Sequence, residues 1–273
     1  MDDFSLTTED GIATLTLTRP AQSNALTLDF WRDFPAAITD LDASGTIRAL
    51  IIAAAGHNFC AGMDLSVFTA ATAMQPDHAA ARTQFYQTAL LMQDALARLE
   101  RARFPVIAAI QGACVGAGLE LAAACDLRFA TDTAYGKIAE IDIAMMADLG
   151  ALQRLPKLLP DAVVKSMAYT GATLSAARGE ALGFFNAIAP DQPAALQQAQ
   201  HAARAIAARA PLAIAASKDS LLYVRDHSVA DALERAAWMQ SAIWNTADIH
   251  ASINARRTKT VPNFANLPPR ATL

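Results

Sequence analysis

The stretch Val106-Ile-Ala-Ala-Ile-Gln-Gly-Ala-Cys-Val-Gly-Ala-Gly-Leu-Glu120 contains the pattern that decides the fold. Its first five residues form an uninterrupted apolar run, which predicts a buried strand over 106–110. Three of the chain's 12 glycines follow within seven positions, and glycine is favoured where a backbone turns tightly or approaches another group closely. Leu119–Cys125 then predicts a short helix. A buried strand that leads into such a turn and a helix indicates an α/β protein.

The rest of the chain divides into two parts. Up to Pro190, strand and helix patterns are mixed, and beyond it strand signals vanish. The pattern predicts strands over 12–18, 49–53, 106–110 and 127–130, helices over 27–43 and 82–103, and C-terminal helices over 192–209, 211–226 and 228–244. We therefore expect a core over residues 1–190 and an all-helical appendage over 191–273. Residues 66–80 have weak periodicity and contain Pro76, which makes them a candidate mobile segment, either a plain surface loop or a lid that contacts the acyl chain.

Composition excludes several classes of function. With 53% hydrophobic and 18% charged residues, the 273-residue chain can bury a sizeable core. A formal net charge of -4 gives no basic surface for nucleic acid. Three cysteines without a C-x-x-C pair and five scattered histidines make a metal site improbable and indicate a reducing compartment. The start of the chain lacks a signal-peptide layout and no apolar run reaches membrane-spanning length, so we expect a cytoplasmic protein without membrane contact.

Three carboxylates stand out because they follow the glycine-bearing turn within apolar sequence. They are Glu120, Glu140 and Asp148, and the last two lie in Lys137-Ile-Ala-Glu-Ile-Asp-Ile-Ala-Met-Met-Ala-Asp-Leu-Gly150. Burying a carboxylate is costly unless the group is paired or used in chemistry. Two or three acids that face one pocket are what a reaction that moves protons on carbon requires.

Five motifs in order resemble the crotonase (enoyl-CoA hydratase/isomerase) superfamily over roughly residues 5–225. They are Arg19-Pro20 with Asn24-Ala-Leu26, Phe59-Cys-Ala-Gly-Met-Asp-Leu65, Pro105-Val-Ile-Ala-Ala-Ile-Gln-Gly112, Gly116-Ala-Gly-Leu-Glu120 and Cys125-Asp-Leu-Arg128. The resemblance implies a crotonase-like ββα spiral core over 1–190. It also implies that the helical region 191–273 takes part in forming a homotrimer or a dimer of trimers. An acyl-CoA thioester is the implied substrate, with no separate cofactor.

The acids resemble two branches of this superfamily. Glu120 and Glu140 are 20 positions apart, like the two catalytic glutamates of enoyl-CoA hydratases. Asp148, eight positions further on, resembles the third acid of Δ3,5-Δ2,4-dienoyl-CoA isomerases, where hydratases typically have a small residue. Two departures matter: the isomerases usually have Asp in place of Glu120, and the family commonly has Gly in place of Ala117.

The resemblance also assigns the remaining site residues. Met63 and Ala117 would supply main-chain N–H groups to the thioester oxygen, forming an oxyanion hole. The implied substrate-binding residues are Asn24, Ala25, Ala61, Gly62, Asp64, Leu65 and Gly116. Arg19 and Lys218 are candidates for contacts with the phosphates of CoA.

The favoured reaction is isomerisation of a 3,5-dienoyl-CoA to a 2,4-dienoyl-CoA. By resemblance, Asp148 would remove a proton from C2, Glu140 would return one at C6, and Glu120 would support the pair. In the alternative reaction, 2-enoyl-CoA hydration, Glu120 and Glu140 would hold a water molecule. A non-catalytic relative of the same fold and an acyl-CoA hydrolase remain further alternatives.

Ordinary structural roles compete with the functional ones. By local rules, Asp148 would cap a helix N-terminus, and Asp64 would cap the helix that follows its loop. Asp126 and Arg128 are interpreted as a structural ion pair.

Overall fold

Nine strands form two sheets in a computed structural model that describes residues 3–69 and 79–271. The strands are β1 (Phe4–Glu9), β2 (Ile12–Leu17), β3 (Ala49–Ala54), β4 (Val106–Ile110), β5 (Ala113–Val115), β6 (Leu127–Thr131), β7 (Tyr135–Lys137), β8 (Leu174–Ser175) and β9 (Ala187–Ala189). The larger sheet has the order β1-β2-β3-β4-β6-β9, and the smaller has the order β5-β7-β8.

The main sheet is parallel except at one edge, where β1 pairs with β2 in antiparallel register. Every residue of β3 and β4 is buried. Uninterrupted apolar runs are what a parallel sheet covered on both faces requires. The α/β class predicted from residues 106–110 is confirmed.

Eleven α-helices lie in the described part of the chain. They are α1 (Leu28–Ser44), α2 (Ser66–Thr69), α3 (Ala79–Arg101), α4 (Ala117–Ala123), α5 (Ala151–Arg154), α6 (Asp161–Thr170), α7 (Ala176–Ala181), α8 (Gln192–Ala207), α9 (Pro211–Val224), α10 (Val229–Ile243) and α11 (Thr246–Thr258). Single 3-10 turns cover Pro20–Gln22, Glu140–Ile143 and Leu155–Lys157. The helical C-terminal region is confirmed, and α11 was not predicted. None of the helices in residues 3–69 and 79–271 has the length and apolarity to cross a bilayer.

Helix α8 packs on one face of the main sheet. Its Ala199 and Ala203 are fully buried in a cluster with Ile51 of β3 and Ile107 and Ala109 of β4. Small side chains allow the helix backbone to approach the strands closely. The first helix beyond residue 190 therefore covers the core, whereas α10 has no buried residue.

The opposite face carries the larger hydrophobic cluster. Phe30 and Phe34 of α1 stack with ring centroids 4.8 Å apart, and Phe4 of β1 meets both rings edge-on. Leu96 and Leu99 of α3 are fully buried in the same cluster. Helices on both faces hold the sheet rigidly, and the loops at the ends of its strands are thereby positioned for a site.

Two expectations about charged residues are wrong. Arg128 does not pair with Asp126: its guanidinium donates to the carbonyls of Phe184, Ala122 and Cys125. Asp126 instead pairs with Lys218 at 2.8 Å. The buried ammonium of Lys218 also donates to the carbonyls of Leu99 at 2.6 Å and Phe104 at 2.9 Å. With these partners inside the chain, Lys218 is not placed to bind a phosphate group of CoA.

Candidate active site

One cavity of about 240 Å³ contains all three acids predicted from the sequence, Glu120, Glu140 and Asp148. It lies between α3, the loop that follows β3, the start of α4, and the segment 139–149. Its apolar wall includes Leu65, Phe85, Ala89, Met92, Ile143 and Met145. A concave, mostly apolar space with a few convergent acids is the usual form of a small-molecule site.

At the floor of this cavity, the glycine-bearing turn connects β5 to the start of α4. Gly116 has φ +52°, a conformation that favours glycine, and its N–H donates to the carbonyl of Lys137 at 3.0 Å. A side chain here would begin 3.3 Å from Oε1 of Glu140. Gly116 therefore lets the helix start directly beside that carboxyl group.

Glu120 is the most deeply buried of the three acids, with 1% of its surface exposed. It lies on α4, and its Oε1 accepts hydrogen bonds from the main-chain N–H groups of Leu149 at 3.0 Å and Ala151 at 3.1 Å. Burial, followed by the nearby charge of Glu140, raises the pKa of Glu120 to about 7. Near neutral pH this group can therefore both give and accept a proton.

Glu140 begins the 3-10 turn that follows β7 and is half-buried. Its Oε2 is shielded from solvent and accepts no hydrogen bond from any described residue. Burial raises the pKa of Glu140 above its ordinary value. A buried acceptor without a partner is costly, and in this cavity a substrate or a water molecule would supply the missing hydrogen bond.

Asp148 lies near the end of the segment 139–149, whereas Glu140 lies near its start. Asp148 is half-buried, and burial raises its pKa. Its main-chain carbonyl accepts a hydrogen bond from Nε2 of Gln93 on α3 at 2.7 Å. The expectation that Asp148 caps a helix is wrong, because α5 begins after Gly150 without a side-chain cap from its own segment. Glu120, distant in sequence, supplies the acceptor for the first N–H of that helix, so the Asp148 carboxyl group is not needed there.

Two main-chain N–H groups in the cavity wall have no acceptor among the described residues. Met63 forms a β-bridge with Leu26. The hydrogen bonds of this bridge join Leu26 to the carbonyl of Gly62 and to the N–H of Asp64, so they do not use the N–H of Met63. Ala117 is the first residue of α4, where an N–H has no partner within the helix. Both residues line the cavity. This is the arrangement expected of an oxyanion hole, and Met63 and Ala117 remain its predicted donors.

The two donors are brought together by Gly62. Its φ is +99°, and a Cβ atom there would stand 3.0 Å from the carbonyl oxygen of Val115 and 3.5 Å from the nitrogen of Ala117. Only a residue without a side chain allows the two loops to approach this closely. Indole Nε1 of Trp31 contacts the sulfur of Met63 at 3.3 Å and fixes its side chain.

The other predicted substrate-binding residues fall into two groups. Ala61, Gly62, Leu65 and Gly116 line the cavity. Asn24, Ala25 and Asp64 lie outside its lining. The roles of both groups in binding substrate stay predictions.

The side chains of Asn24 and Asp64 are occupied within the chain. The amide of Asn24, which is 2% exposed, donates to the carbonyls of Ala55 and Asn58. Asp64 accepts from the N–H and the hydroxyl of Ser66, as a helix cap, and pairs with Arg19 at 3.0 Å. Asn24 and Asp64 therefore shape the loops next to the cavity through contacts within the chain.

Sequence reasoning missed the apolar wall that α3 contributes. Phe85, Ala89 and Met92 line the cavity at spacings of four and three residues, which places them on one face of a helix. The helix was predicted over 82–103, so this periodicity was a usable signal. Part of the candidate mobile segment, residues 70–78, lies outside the described residues.

Comparison with known proteins identifies the family. A family model described as enoyl-CoA hydratase/isomerase matches residues 7–266. The chain belongs to the enoyl-CoA hydratase/isomerase family. It is therefore an enzyme of the crotonase fold, and an acyl-CoA substrate is consistent with this family.

Individual enoyl-CoA hydratase/isomerase relatives cover nearly the whole chain. The peroxisomal Δ3,5-Δ2,4-dienoyl-CoA isomerase of Arabidopsis thaliana is 34% identical over 95% of this chain and 95% of its own. The mitochondrial Δ3,5-Δ2,4-dienoyl-CoA isomerase of Homo sapiens is 33% identical over 88% of this chain and 74% of its own. The crystal structure of an enoyl-CoA hydratase from Polaromonas superimposes with a TM-score of 0.86 at 27% identity, covering 96% of this chain and 99% of that one.

Proposed function

We propose that the enzyme isomerises 3,5-dienoyl-CoA thioesters to 2,4-dienoyl-CoA thioesters. The observation that carries this proposal is the position of Asp148 in the same cavity as Glu120 and Glu140. Moving two double bonds along an acyl chain requires proton removal at one carbon and proton delivery at a distant one. Two acids at separate places in one cavity meet that requirement.

The reaction begins at C2 of the bound acyl group. Asp148 as a carboxylate removes a C2 proton, and the electron pair moves toward the thioester oxygen. The N–H groups of Met63 and Ala117 stabilise the negative charge that forms there. The start of a helix at Ala117 adds a favourable partial positive charge.

The extended enolate then takes a proton at C6. Glu140, whose pKa is raised by burial, donates this proton, and the double bonds come to rest at C2–C3 and C4–C5. Asp148 is left protonated and Glu140 ionised, so proton exchange with solvent restores the starting state. Every step uses a carboxyl group or a main-chain N–H, and the reaction needs no cofactor beyond the CoA of the substrate.

The relatives support this proposal. The Arabidopsis and human proteins named as Δ3,5-Δ2,4-dienoyl-CoA isomerases are 34% and 33% identical to this chain over most of its length. Glu120 supports the other two acids from the same cavity: its pKa of about 7 lets it buffer charge as protons move.

Hydration of a 2-enoyl-CoA is the second candidate. Glu120 favours it, because a glutamate at that position together with Glu140 resembles the hydratase pair. In this reaction the two glutamates hold one water molecule, which adds to C3 while a proton goes to C2. Asp148 would then be a spectator, and the raised pKa that burial gives it would serve no step.

A panel of purified acyl-CoA substrates distinguishes the candidates. With a 3,5-dienoyl-CoA, isomerisation creates a diene conjugated with the thioester carbonyl, seen as a new ultraviolet absorbance. With a 2-enoyl-CoA, hydration removes the enoyl absorbance, whereas a hydrolase releases a free thiol. We expect the first signal to dominate. Dominant hydration, dominant thiol release, or no reaction with any substrate would each contradict the proposal.

A further inference from the structure

The segment that carries Asp148 borders two cavities, and hydrogen bonds from distant side chains hold its main chain. Asp148 and Leu149 line the 240 Å³ cavity of the acids and also a neighbouring cavity of about 450 Å³. Ala147, Leu149 and Ala151 are buried in the main hydrophobic cluster, which anchors the segment on either side of Asp148. Asp148 itself is only half-buried, so its direction also depends on the polar groups that bind the adjacent main chain.

Arg154 is a basic side chain that contacts this segment. Its Nη1 donates to the carbonyl oxygen of Leu149 at 3.0 Å. Gly150 creates the space for this contact, because a Cβ atom there would stand 1.7 Å from the same nitrogen. Within residues 3–69 and 79–271 the buried Nε atom of Arg154 has no hydrogen-bond partner, so the side chain is held through Nη1 and Nη2.

An ion-pair network fixes Arg154 from the other side. Its Nη2 lies 2.7 Å from Oε2 of Glu100 on α3, and Nη1 of Arg225, just after α9, lies 2.5 Å from Oε1 of the same carboxylate. The side chains of Glu100 and Arg154 are only 11% and 13% exposed. Burial opposes ionisation of Glu100, but the two guanidinium groups hold its pKa below the ordinary value.

We infer that Arg154 is a positioning residue for the catalytic acids, oriented by Glu100 and, through it, by Arg225 of the C-terminal helical region. The main chain of Leu149 is held on both sides, because Arg154 donates to its carbonyl and Glu120 accepts from its N–H. Fixing the two peptide groups that flank the Cα atom of Leu149 orients the Glu120 carboxyl group and Asp148, which directly precedes Leu149. This inference rests on the proposed function for its kinetic consequence.

Replacing Arg154→Met keeps an unbranched apolar stem and removes the guanidinium group with its hydrogen bonds to Leu149 and Glu100. Loss of an outer residue that orients metal ligands typically costs about 10- to 100-fold in activity, and we take the same range for a residue that orients catalytic acids. We expect kcat to fall by this factor while KM changes less than about threefold, because no substrate contact is lost. The double variant Arg154→Met/Glu100→Gln removes the buried charge as well and gives the same loss if the single variant folds poorly.

Two further measurements separate positioning from mere stabilisation. Hydrogen exchange followed by mass spectrometry on peptides covering 145–153 should become at least tenfold faster in Arg154→Met. A pH–rate profile gives a second signal. Weaker hydrogen bonds from the main-chain N–H groups to Glu120 should raise its pKa, so the profile of the variant should shift toward higher pH. Lys157→Met is the matched control, since it removes a cation from the same cavity wall, and the ammonium of Lys157 donates to the carbonyl of Arg225 rather than to the segment that carries Asp148.

The outcomes are distinct from those of the proposed function. If the wild type acts on no acyl-CoA, the proposed function fails, and amide exchange still tests the grip of Arg154 on Leu149. Unchanged exchange in Arg154→Met, or a raised KM with unchanged kcat, would overturn the inference. Equal losses in Lys157→Met would also overturn it, because the effect would then follow from charge in the cavity wall.

Discussion

Oε1 of Glu120 lies 3.0 Å from the main-chain nitrogen of Leu149, a residue 29 positions later in the chain. This bond connects α4, which starts at the glycine-bearing turn, to the loop that carries Asp148. Two acids of the cavity are thereby fixed to one peptide unit. The arrangement explains how a short, buried helix and an irregular loop keep their carboxyl groups in constant relation.

Replacing Glu120→Gln should make the protein more stable at alkaline pH. The native pKa of about 7 lies above the ordinary value of 4.5, so the folded state binds more protons than the unfolded state between these values. Stability therefore falls as pH rises from about 4.5 through 7, by at most roughly 3 kcal/mol. The side chain of the variant still accepts the hydrogen bond from Leu149 but cannot ionise, so the stability of the variant should not show this decrease. Chemical denaturation at pH 5 and pH 8 measures it, and an equal pH dependence in both proteins would refute the assignment.

Replacing Glu140→Gln should lower every acyl-CoA activity of the enzyme by about 10²–10⁴-fold, the usual contribution of a general acid or base. The proposed isomerisation and the alternative hydration both use this carboxyl group. Steady-state rates with each active substrate provide the measurement. Asp161→Asn is the control, because Asp161 pairs with Lys165 at the exposed start of α6. Full activity in Glu140→Gln would remove Glu140 from the mechanism.

An amide-to-ester exchange at Ala117 tests the oxyanion hole. Incorporating lactic acid at position 117 replaces the N–H by oxygen and keeps the methyl group. We expect kcat to fall about 10²–10³-fold, as for other lost oxyanion donors. The same exchange at Ala123, inside α4, removes a helical hydrogen bond away from the cavity wall and serves as the control. An active ester at position 117 would show that the thioester oxygen is bound elsewhere.

The C-terminal helices should form the surface between subunits of the expected trimer or dimer of trimers. Leu221 of α9, Leu233 and Trp238 of α10, and Trp244 are 64–74% exposed, and exposed apolar groups in such numbers mark interaction surfaces. Light scattering on eluted protein should give a multiple of three subunits. Trp238→Glu should lower the assembled mass, whereas a monomeric wild type would contradict this expectation.

The parts of the fold that sequence predicted well are those with strong periodicity. Strong patterns occur in the strands over 12–17, 49–54 and 106–110 and in the long helix α3. Each has enough apolar residues to show whether one face or both faces are buried. Strand β1 was missed because most of its residues are exposed at the sheet edge, with no alternation to detect. Strands β5 and β7 have three residues each, too few to show a period.

Whether a buried polar residue belongs to the site depends on whether the chain itself supplies its hydrogen-bond partners. Glu120, Glu140 and Asp148 meet in one cavity, as their apolar surroundings suggested. Asn24 and Lys218 are polar groups in similar surroundings, but main-chain carbonyls bind both of them. Such partners lie 31 and 119 positions away, so no local pattern separates a satisfied buried group from one kept for substrate.

The most direct test of the account compares the wild type with Asp148→Asn on a 3,5-dienoyl-CoA and on a 2-enoyl-CoA. The wild type should form the 2,4-dienoyl product. The variant should lose about 10²–10⁴-fold of this rate while any hydration of the 2-enoyl-CoA changes little. Equal loss of both activities, an unchanged isomerisation rate, or a wild type that hydrates without isomerising would contradict the role given to Asp148.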